Sequence, residues 1–363
     1  MPQTHSSLHA APPVADLYAH PGGRDRGFEP PESLERRHVA ALLAYVTTTP
    51  SDAEWRRRLD AAADRPSAVD ASLIAALEWV TMHLRRADDT LGAGVSGAVS
   101  SHLAVCSALL AGQQEGALRR SLARTVGSIE QLAGWLAFDA GDCHTAELHY
   151  RAGMEASREA DDPLLFTYLV AHTAQLMASL DELDEALAAA SIVRRLAVKG
   201  TSPATQAYAA SIQADISARQ GDGAAALRAL DRAEASSRRI TMTEEPSWLY
   251  FFDRAEQLYW RGQVDLRLER PAKARESVGE RLNLLSSSLV RERAFATADL
   301  ATACLLQEEV EECAARAIEA MSLARRVGSS RAAESVLALR ERLAPFAGAA
   351  AVRRLDEYLH AAA

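Results

Sequence analysis

From residue 70 onward, apolar side chains recur at intervals of three and four residues, the period of an amphipathic helix. Leu73, Leu77, Val80 and Leu84 predict a helix from Asp70 to about Arg86. The run Asp88-Asp89-Thr90-Leu91-Gly92-Ala93-Gly94 then predicts a break, and a second helix follows from about Val95 to Leu110. Upstream the pattern is weaker. Leu34, Val39, Leu42 and Leu43 mark one short helix within Glu32 to Tyr45, and Ser51-Asp52-Ala53-Glu54 reads as an N-terminal cap for another through Trp55 and Leu59. Eight of the thirteen prolines fall within residues 1–66, so the first 30 residues are expected to be an extended, flexible arm. No β-branched run of strand length bounded by turn residues occurs, and the class is all-α.

The strongest signal is an internal repeat in which a short acidic or glycine turn precedes a small residue on the following helix. Gly141-Asp142-Cys143-His144-Thr145-Ala146, Asp181-Glu182-Leu183-Asp184-Glu185-Ala186 and Gly221-Asp222-Gly223-Ala224-Ala225-Ala226 are three copies. Glu269-Arg270-Pro271-Ala272-Lys273-Ala274 and Glu308-Glu309-Val310-Glu311-Glu312-Cys313 are two more. The small residues fall at 146, 186, 226, 274 and 313, spacings of 40, 40, 48 and 39. These exceed the ~34 residues of a tetratricopeptide unit and call for longer helices or connectors. The turn stops the first helix of a hairpin, and the small residue lets the second approach it closely. Because one hairpin cannot bury its own apolar face, the copies must stack. The expected fold is a right-handed α-solenoid of about five tetratricopeptide-like hairpins over residues 126–363, preceded by a helical cap over residues 31–125 and the arm at 1–30.

Composition supports helix and narrows function. Apolar residues are 48%, charged residues 25% and aromatics only 6% of the 363. The net charge of −9 opposes binding to a phosphate backbone unless a local basic face overrides it. Arginine supplies 38 of the 40 basic side chains, but Arg56-Arg57-Arg58, Arg119-Arg120, Arg194-Arg195 and Arg238-Arg239 are short clusters among acids. Direct nucleic-acid binding is not expected. The four cysteines form no CxxC pair, and Pro2, Pro12, Pro13, Pro21 and Pro30 stand where a signal peptide needs an apolar core. A cytoplasmic protein without membrane contact is expected.

Three segments carry a family resemblance: Leu84-Arg85-Arg86-Ala87-Asp88-Asp89-Thr90-Leu91-Gly92, Leu132-Ala133-Gly134-Trp135-Leu136-Ala137-Phe138-Asp139-Ala140-Gly141-Asp142, and Glu245-Pro246-Ser247-Trp248-Leu249-Tyr250-Phe251-Phe252-Asp253-Arg254-Ala255-Glu256. In this order, with the repeat between them, they resemble the tetratricopeptide region of actinobacterial regulators in which a Cro/repressor-like helix-turn-helix precedes the repeats. The resemblance implies the same fold over residues 70–360. It departs at the N-terminus, where residues 1–70 hold eight arginines, no lysine and ten acids and show no helix-turn-helix pattern.

Setting the repeat register on the first helices turns Gln131, Trp135 and Asp139 toward the concave side, then Tyr168 and Gln175, then Tyr208 and Asp215, then Glu256 and Tyr259. Trp248, Phe251 and Asp253 join Glu256 on what reads as one long helix, an acidic and aromatic face suited to a cationic group. Aromatic bodies with polar tips suit a small-molecule or peptide ligand, and the excess of aromatic area also fits a homodimer interface. No cofactor motif occurs. Cys143, His144 and His149 fail as a metal site, because 144 and 149 lie five apart where a helix face needs three or four. Gly92-Ala93-Gly94-Val95-Ser96-Gly97 echoes a dinucleotide fingerprint but follows no strand. Two readings follow: a stand-alone sensor or adaptor that captures a small metabolite or peptide and signals to a protein partner, and an unusual enzyme of specialised metabolism using Asp139, Asp215 or Glu256 as acid or base.

Overall fold

The computed structural model describes residues 69–112, 116–197, 202–241 and 245–360, with Ala61. The arm at 1–30, the two short helices expected within 32–59 and the Arg56-Arg57-Arg58 cluster lie outside the described residues. Those described form helices and turns only: α1 (Ala71–Leu91), a 3-10 turn (Gly92–Val95), α2 (Ser96–Ala111), α3 (Gly116–Asp139), α4 (Cys143–Glu159), α5 (Pro163–Ser179), α6 (Leu183–Ala197), α7 (Pro203–Arg219) and α8 (Gly223–Ser237). A 3-10 turn (Ser247–Leu249), α9 (Arg254–Arg267), α10 (Pro271–Leu284), α11 (Val290–Leu306), α12 (Val310–Val327), α13 (Ser330–Arg342), a 3-10 turn (Ala344–Phe346) and α14 (Ala350–His360) complete the order. Successive helices pack as hairpins α3–α4, α5–α6, α7–α8, α9–α10 and α11–α12, and the hairpins stack into an α-solenoid.

The repeat has a common geometry at all five turns. Gly141, Asp181, Gly221, Glu269 and Glu308 each adopt a positive φ between 52° and 85°. The next residue's N–H reaches five residues back, as in Asp142 to Ala137 O and Glu309 to Cys304 O, the bond pattern of a Schellman C-cap. Four residues further on stand Ala146, Ala186, Ala226, Ala274 and Cys313, all with 0% exposure. Each is the first residue of its helix whose N–H bonds back to the cap residue, as Ala146 does to Asp142 O and Cys313 to Glu309 O. Asp142, Asp162, Ser202 and Asp222 cap helix N-termini with their side chains, and Pro163, Pro203 and Pro271 occupy first helical positions.

The spacing of 48 between Ala226 and Ala274 arises from the connector between α8 and α9. That connector corrects the expectation of one long helix from Trp248 to Glu256. Ser247–Leu249 is a 3-10 turn, the chain bends through Tyr250 and Phe251, and α9 starts only at Arg254 with Asp253 as its cap. The helix cannot run through because the Asp253 carboxylate accepts from the Glu256 N–H, closing a cap where a helical bond would be. α1 departs from expectation in the other direction. It continues past Arg86 to Leu91, because Asp88 and Asp89 are held by partners far along the chain: Asp88 by Arg291 and Asp89 by Tyr250.

Those partners close the array on itself. α1 packs against α11, and α3 against α13. Arg291 donates to both carboxylate oxygens of Asp88 at 2.6 and 2.8 Å, with both side chains buried. Ser329, just before α13, donates to Asp139 at the end of α3 at 2.8 Å. Gly92, at φ +53°, lies so close to the end of α12 that a Cβ there would stand 2.6 Å from the Val327 carbonyl oxygen. Gly92, the first glycine of the run, therefore serves a close backbone approach. By composition Ala71–Ala111 is apolar and long enough to cross a membrane, but it is broken at Gly92–Val95 and contributes Leu73, Leu77, Val99 and Leu103 to a core shared with α3.

Candidate ligand-binding site

The closed array surrounds a cavity of about 370 Å³. Its wall takes side chains from every first helix: Gln131 and Trp135 of α3, Tyr168, His172 and Gln175 of α5, Tyr208 and Asp215 of α7, Glu256, Tyr259 and Trp260 of α9. α1 supplies Arg85, Asp88 and Asp89, the α8–α9 connector Tyr250, Phe251 and Asp253, and the C-terminal helices Arg281, Arg291, Glu292, Phe295 and Arg331. Ten of the twelve residues read from the sequence as groove-facing thus line one chamber. Two do not. Asp139 is buried behind the wall, bonded to Ser329 and 3.8 Å from Arg291, because ring closure brings α13 across the end of α3. Trp248 stacks on Tyr168 at 4.3 Å and lines a separate cavity of about 430 Å³ beside α1, α3 and α5.

The aromatic excess is turned inward. Phe252 and Trp260 are buried, and Trp248 and Phe251 pack partly buried against the same core. Among the described residues, the exposed large apolar side chains are instead the scattered Trp79, Leu91, Leu180, Ile192, Leu284 and Leu337. The bent connector thus turns these rings toward the interior. Around His172 the rings of Trp135, Tyr150, Tyr168 and Tyr208 lie with centroids 4.5 to 6.1 Å away. Such offset and edge contacts hold the wall rigid.

Charge in the chamber is mostly paired. Arg281 bonds Glu292, Arg291 bonds Asp88, and Asp215 takes Arg219 and Arg267, each at 2.9 Å. Asp89 accepts from the Tyr250 hydroxyl at 2.5 Å, and burial lifts its carboxyl to about 6. Burial, with repulsion from Glu292, lifts Glu256 further, to about 8. The Asp253 carboxylate is committed to the α9 cap, so the cation-gripping role expected for it gives way to a structural one.

Arg85 and Arg331 differ. Neither has a carboxylate in ion-pair contact among the described residues. Arg85 is 5% exposed and donates to the Gln131 side-chain oxygen, the Ser128 carbonyl at 3.0 Å and the Ser128 hydroxyl at 3.2 Å. Arg331 lies 4.0 Å over the Phe138 ring and 5.3 Å over Trp135. Because the Gln131 oxygen accepts from Arg85, its amide nitrogen donates to His172 Nε2 at 2.9 Å. His172 is therefore neutral with its proton on Nδ1, consistent with burial and the two guanidiniums pressing its ring down to about 3.

Sequence reasoning missed Arg85, Asp88, Asp89, His172, Tyr250, Arg281, Arg291 and Arg331. Arg85, Asp88 and Asp89 belong to the upstream segment that resembles the regulators, so that segment carried a usable signal. Arg291 and Arg331 carry none, since Arg291 meets Asp88 only across 203 residues of chain. The pair His144 and His149 makes no common site: His149 instead bonds Glu130 at 2.6 Å. Cys304, Glu309 and Glu312 come together elsewhere, but Arg275 already pairs both glutamates.

No protein-family model matches the sequence, and no curated protein does. Among solved structures, the chain is similar to a Rap protein crystallised in complex with Competence and Sporulation Factor, with a TM-score of 0.52 and 15% identity over 84% of this chain and 73% of that one. It also matches the tetratricopeptide domain of P58(IPK), over 86% of this chain and 98% of that one at 12% identity, with a TM-score of 0.23 too low to bear on the fold. The first likeness supports the tetratricopeptide-like α-solenoid.

Proposed function

We propose that this protein is a ligand-binding helical-repeat sensor that holds a small molecule, or the end of a short peptide, in its central chamber. The observation that carries the reading is the chamber wall: aromatic side chains from α3, α5, α7, α9 and the α8–α9 connector converge on one cavity of about 370 Å³. That volume suits a drug-sized ligand, and rigid aromatic walls with a few polar groups are what such sites share. A repeat array needs only small and aliphatic contacts to stack, so these rings exceed what stacking requires. The similar Rap protein was captured with Competence and Sporulation Factor, which fits a binding role for this architecture. Ligand occupancy bears directly on ring closure, because Asp88, Asp89, Arg291 and Tyr250 both line the chamber and join its two ends. A bound ligand would thus shift the closure equilibrium and change the outer helical faces offered to a protein partner.

A catalytic reading has one observation behind it. Glu256, titrating near 8, would serve as an acid or base at neutral pH. No nucleophile with an adjacent base joins it among the described residues of the wall, so binding stands first.

Native mass spectrometry of the full chain, followed by a thermal-shift screen of metabolites and peptides, tests the proposal. Specific ligands are expected to raise the unfolding temperature by mass action. Ser179→Trp, which places an indole at the exposed rim of the chamber, is expected to reduce that shift while the helical circular-dichroism signal persists. Ligand shifts unchanged in Ser179→Trp would place binding outside the chamber and refute the reading.

A further inference from the structure

We infer that the chamber's ligand carries an oxyanion, a carboxylate or phosphate, seated between Arg85 and Arg331 with a flat unsaturated body against Trp135. The inference rests on the reading of the chamber as a binding site and adds the chemical class of its ligand.

Three buried atoms near this part of the wall lack a hydrogen-bond partner: Arg85 Nε, Arg331 Nη1 and His172 Nδ1. All three are donors. A buried donor left unmade is costly, and a guanidinium without a counter-charge costs more, so this part of the wall favours an acceptor. The neutral tautomer of His172 follows from the Arg85, Gln131, His172 chain and leaves its Nδ1–H as the third donor, with the Gln175 side chain also acting on it. Both guanidiniums act on that imidazole, which places the three groups within electrostatic reach of one another. A ligand cation would meet them as like charges.

The chamber's carboxylates do not cancel this. Asp88, Glu292 and Asp215 already hold arginines of their own, Asp253 is tied to a helix cap, and Asp89 accepts from Tyr250. Glu256, raised to about 8 by burial, is largely protonated at neutral pH. Among the described residues, Arg85 and Arg331 are thus the chamber guanidiniums without a carboxylate in contact, while Asp89 and Asp253 keep their charge but are engaged by neutral donors. The flat body follows from Trp135, whose ring lies under Arg331 at 5.3 Å and Arg291 at 5.4 Å, so the indole is fixed as a platform beside the oxyanion seat.

A matched probe set on the full chain tests charge separately from shape: naphthylacetate, naphthyl phosphate, the neutral naphthylacetamide and the cationic naphthylethylamine, measured by isothermal titration calorimetry. The acetate, the phosphate or both are expected to bind at least about tenfold more tightly than the amide, with the amine weakest. The tighter of the two anions identifies the source of the oxyanion. Arg331→Gln is expected to weaken the anion about tenfold and the amide less than about twofold. Arg85→Lys, which keeps the charge but loses the fork, provides a second variant if Arg85→Gln does not fold. Amide or amine binding as tight as the anions, or an Arg331→Gln loss shared equally by amide and anion, overturns the inference while leaving the chamber a binding site. If no probe binds, or if Ser179→Trp leaves probe binding intact, the chamber reading fails and the inference with it.

Discussion

Replacing Asp88 by Asn tests the closure of the array at its most buried contact. Asp88 and Arg291 are each 3% exposed and joined by two hydrogen bonds of 2.6 and 2.8 Å. At a charge separation of about 4 Å and an effective dielectric constant of about 20, their attraction is about 4 kcal/mol. Asparagine keeps the shape and one hydrogen bond from the guanidinium, worth about 1.5 kcal/mol, leaving a loss of about 2 to 3 kcal/mol. Asp139 and Glu292, both 3.8 Å from Arg291, soften the loss but do not replace the bidentate geometry. The value falls at or just below the lower end of the roughly 3 to 5 kcal/mol seen when one partner of a buried pair is removed. Urea unfolding followed by circular dichroism measures it. Hydrogen exchange should show faster opening at the closing elements, Gly92–Val95 and the end of α12, before the central hairpins respond. The double variant Asp88→Leu/Arg291→Met is expected to recover most of the stability, since it removes both charges together. A loss below about 0.5 kcal/mol, or exchange unchanged at those elements, would show that the pair does not hold the ring shut.

Three further outcomes are expected. Between pH 6.5 and 8, folded Glu256 keeps a proton that the unfolded chain, titrating near 4.5, has released; stability therefore falls as pH rises, by about 1 to 2 kcal/mol, and thermal unfolding of Glu256→Gln should show that slope flattened. Below pH 6.5 His172 and His102, lowered to about 3 and about 4 by burial, contribute with the opposite sign, because the unfolded chain binds their protons first; the stability of the wild type relative to His102→Gln should therefore fall toward pH 4. Gly92→Ala should destabilise by about 2 kcal/mol or more, because its Cβ meets the Val327 oxygen at 2.6 Å and its φ is +53°, whereas Gly97→Ala, with open space around it, should stabilise by about 0.5 to 1 kcal/mol in chemical denaturation. Equal effects of the two glycine substitutions would remove the close approach as their cause.

Much of this fold is local physics and was legible in the chain. The turn and small-residue pattern at 146, 186, 226, 274 and 313 registers a Schellman turn and a close helix crossing, both decided within about ten residues, so periodicity alone located every hairpin. The same register placed Gln131, Trp135, Tyr168, Tyr208 and Tyr259 on a common inner wall. Tertiary structure decided the rest. Whether Asp88-Asp89 ends α1 depends on Arg291 and Tyr250, more than 160 positions away, and no local propensity encodes a partner at that distance. The α8–α9 connector bends because Asp253 caps α9, so its aromatic rings turn inward where a helical reading left them on one face. Arg85 and Arg331 line one chamber with His172 only because the array closes, since closure brings α1 and α13 to the same cavity as α5.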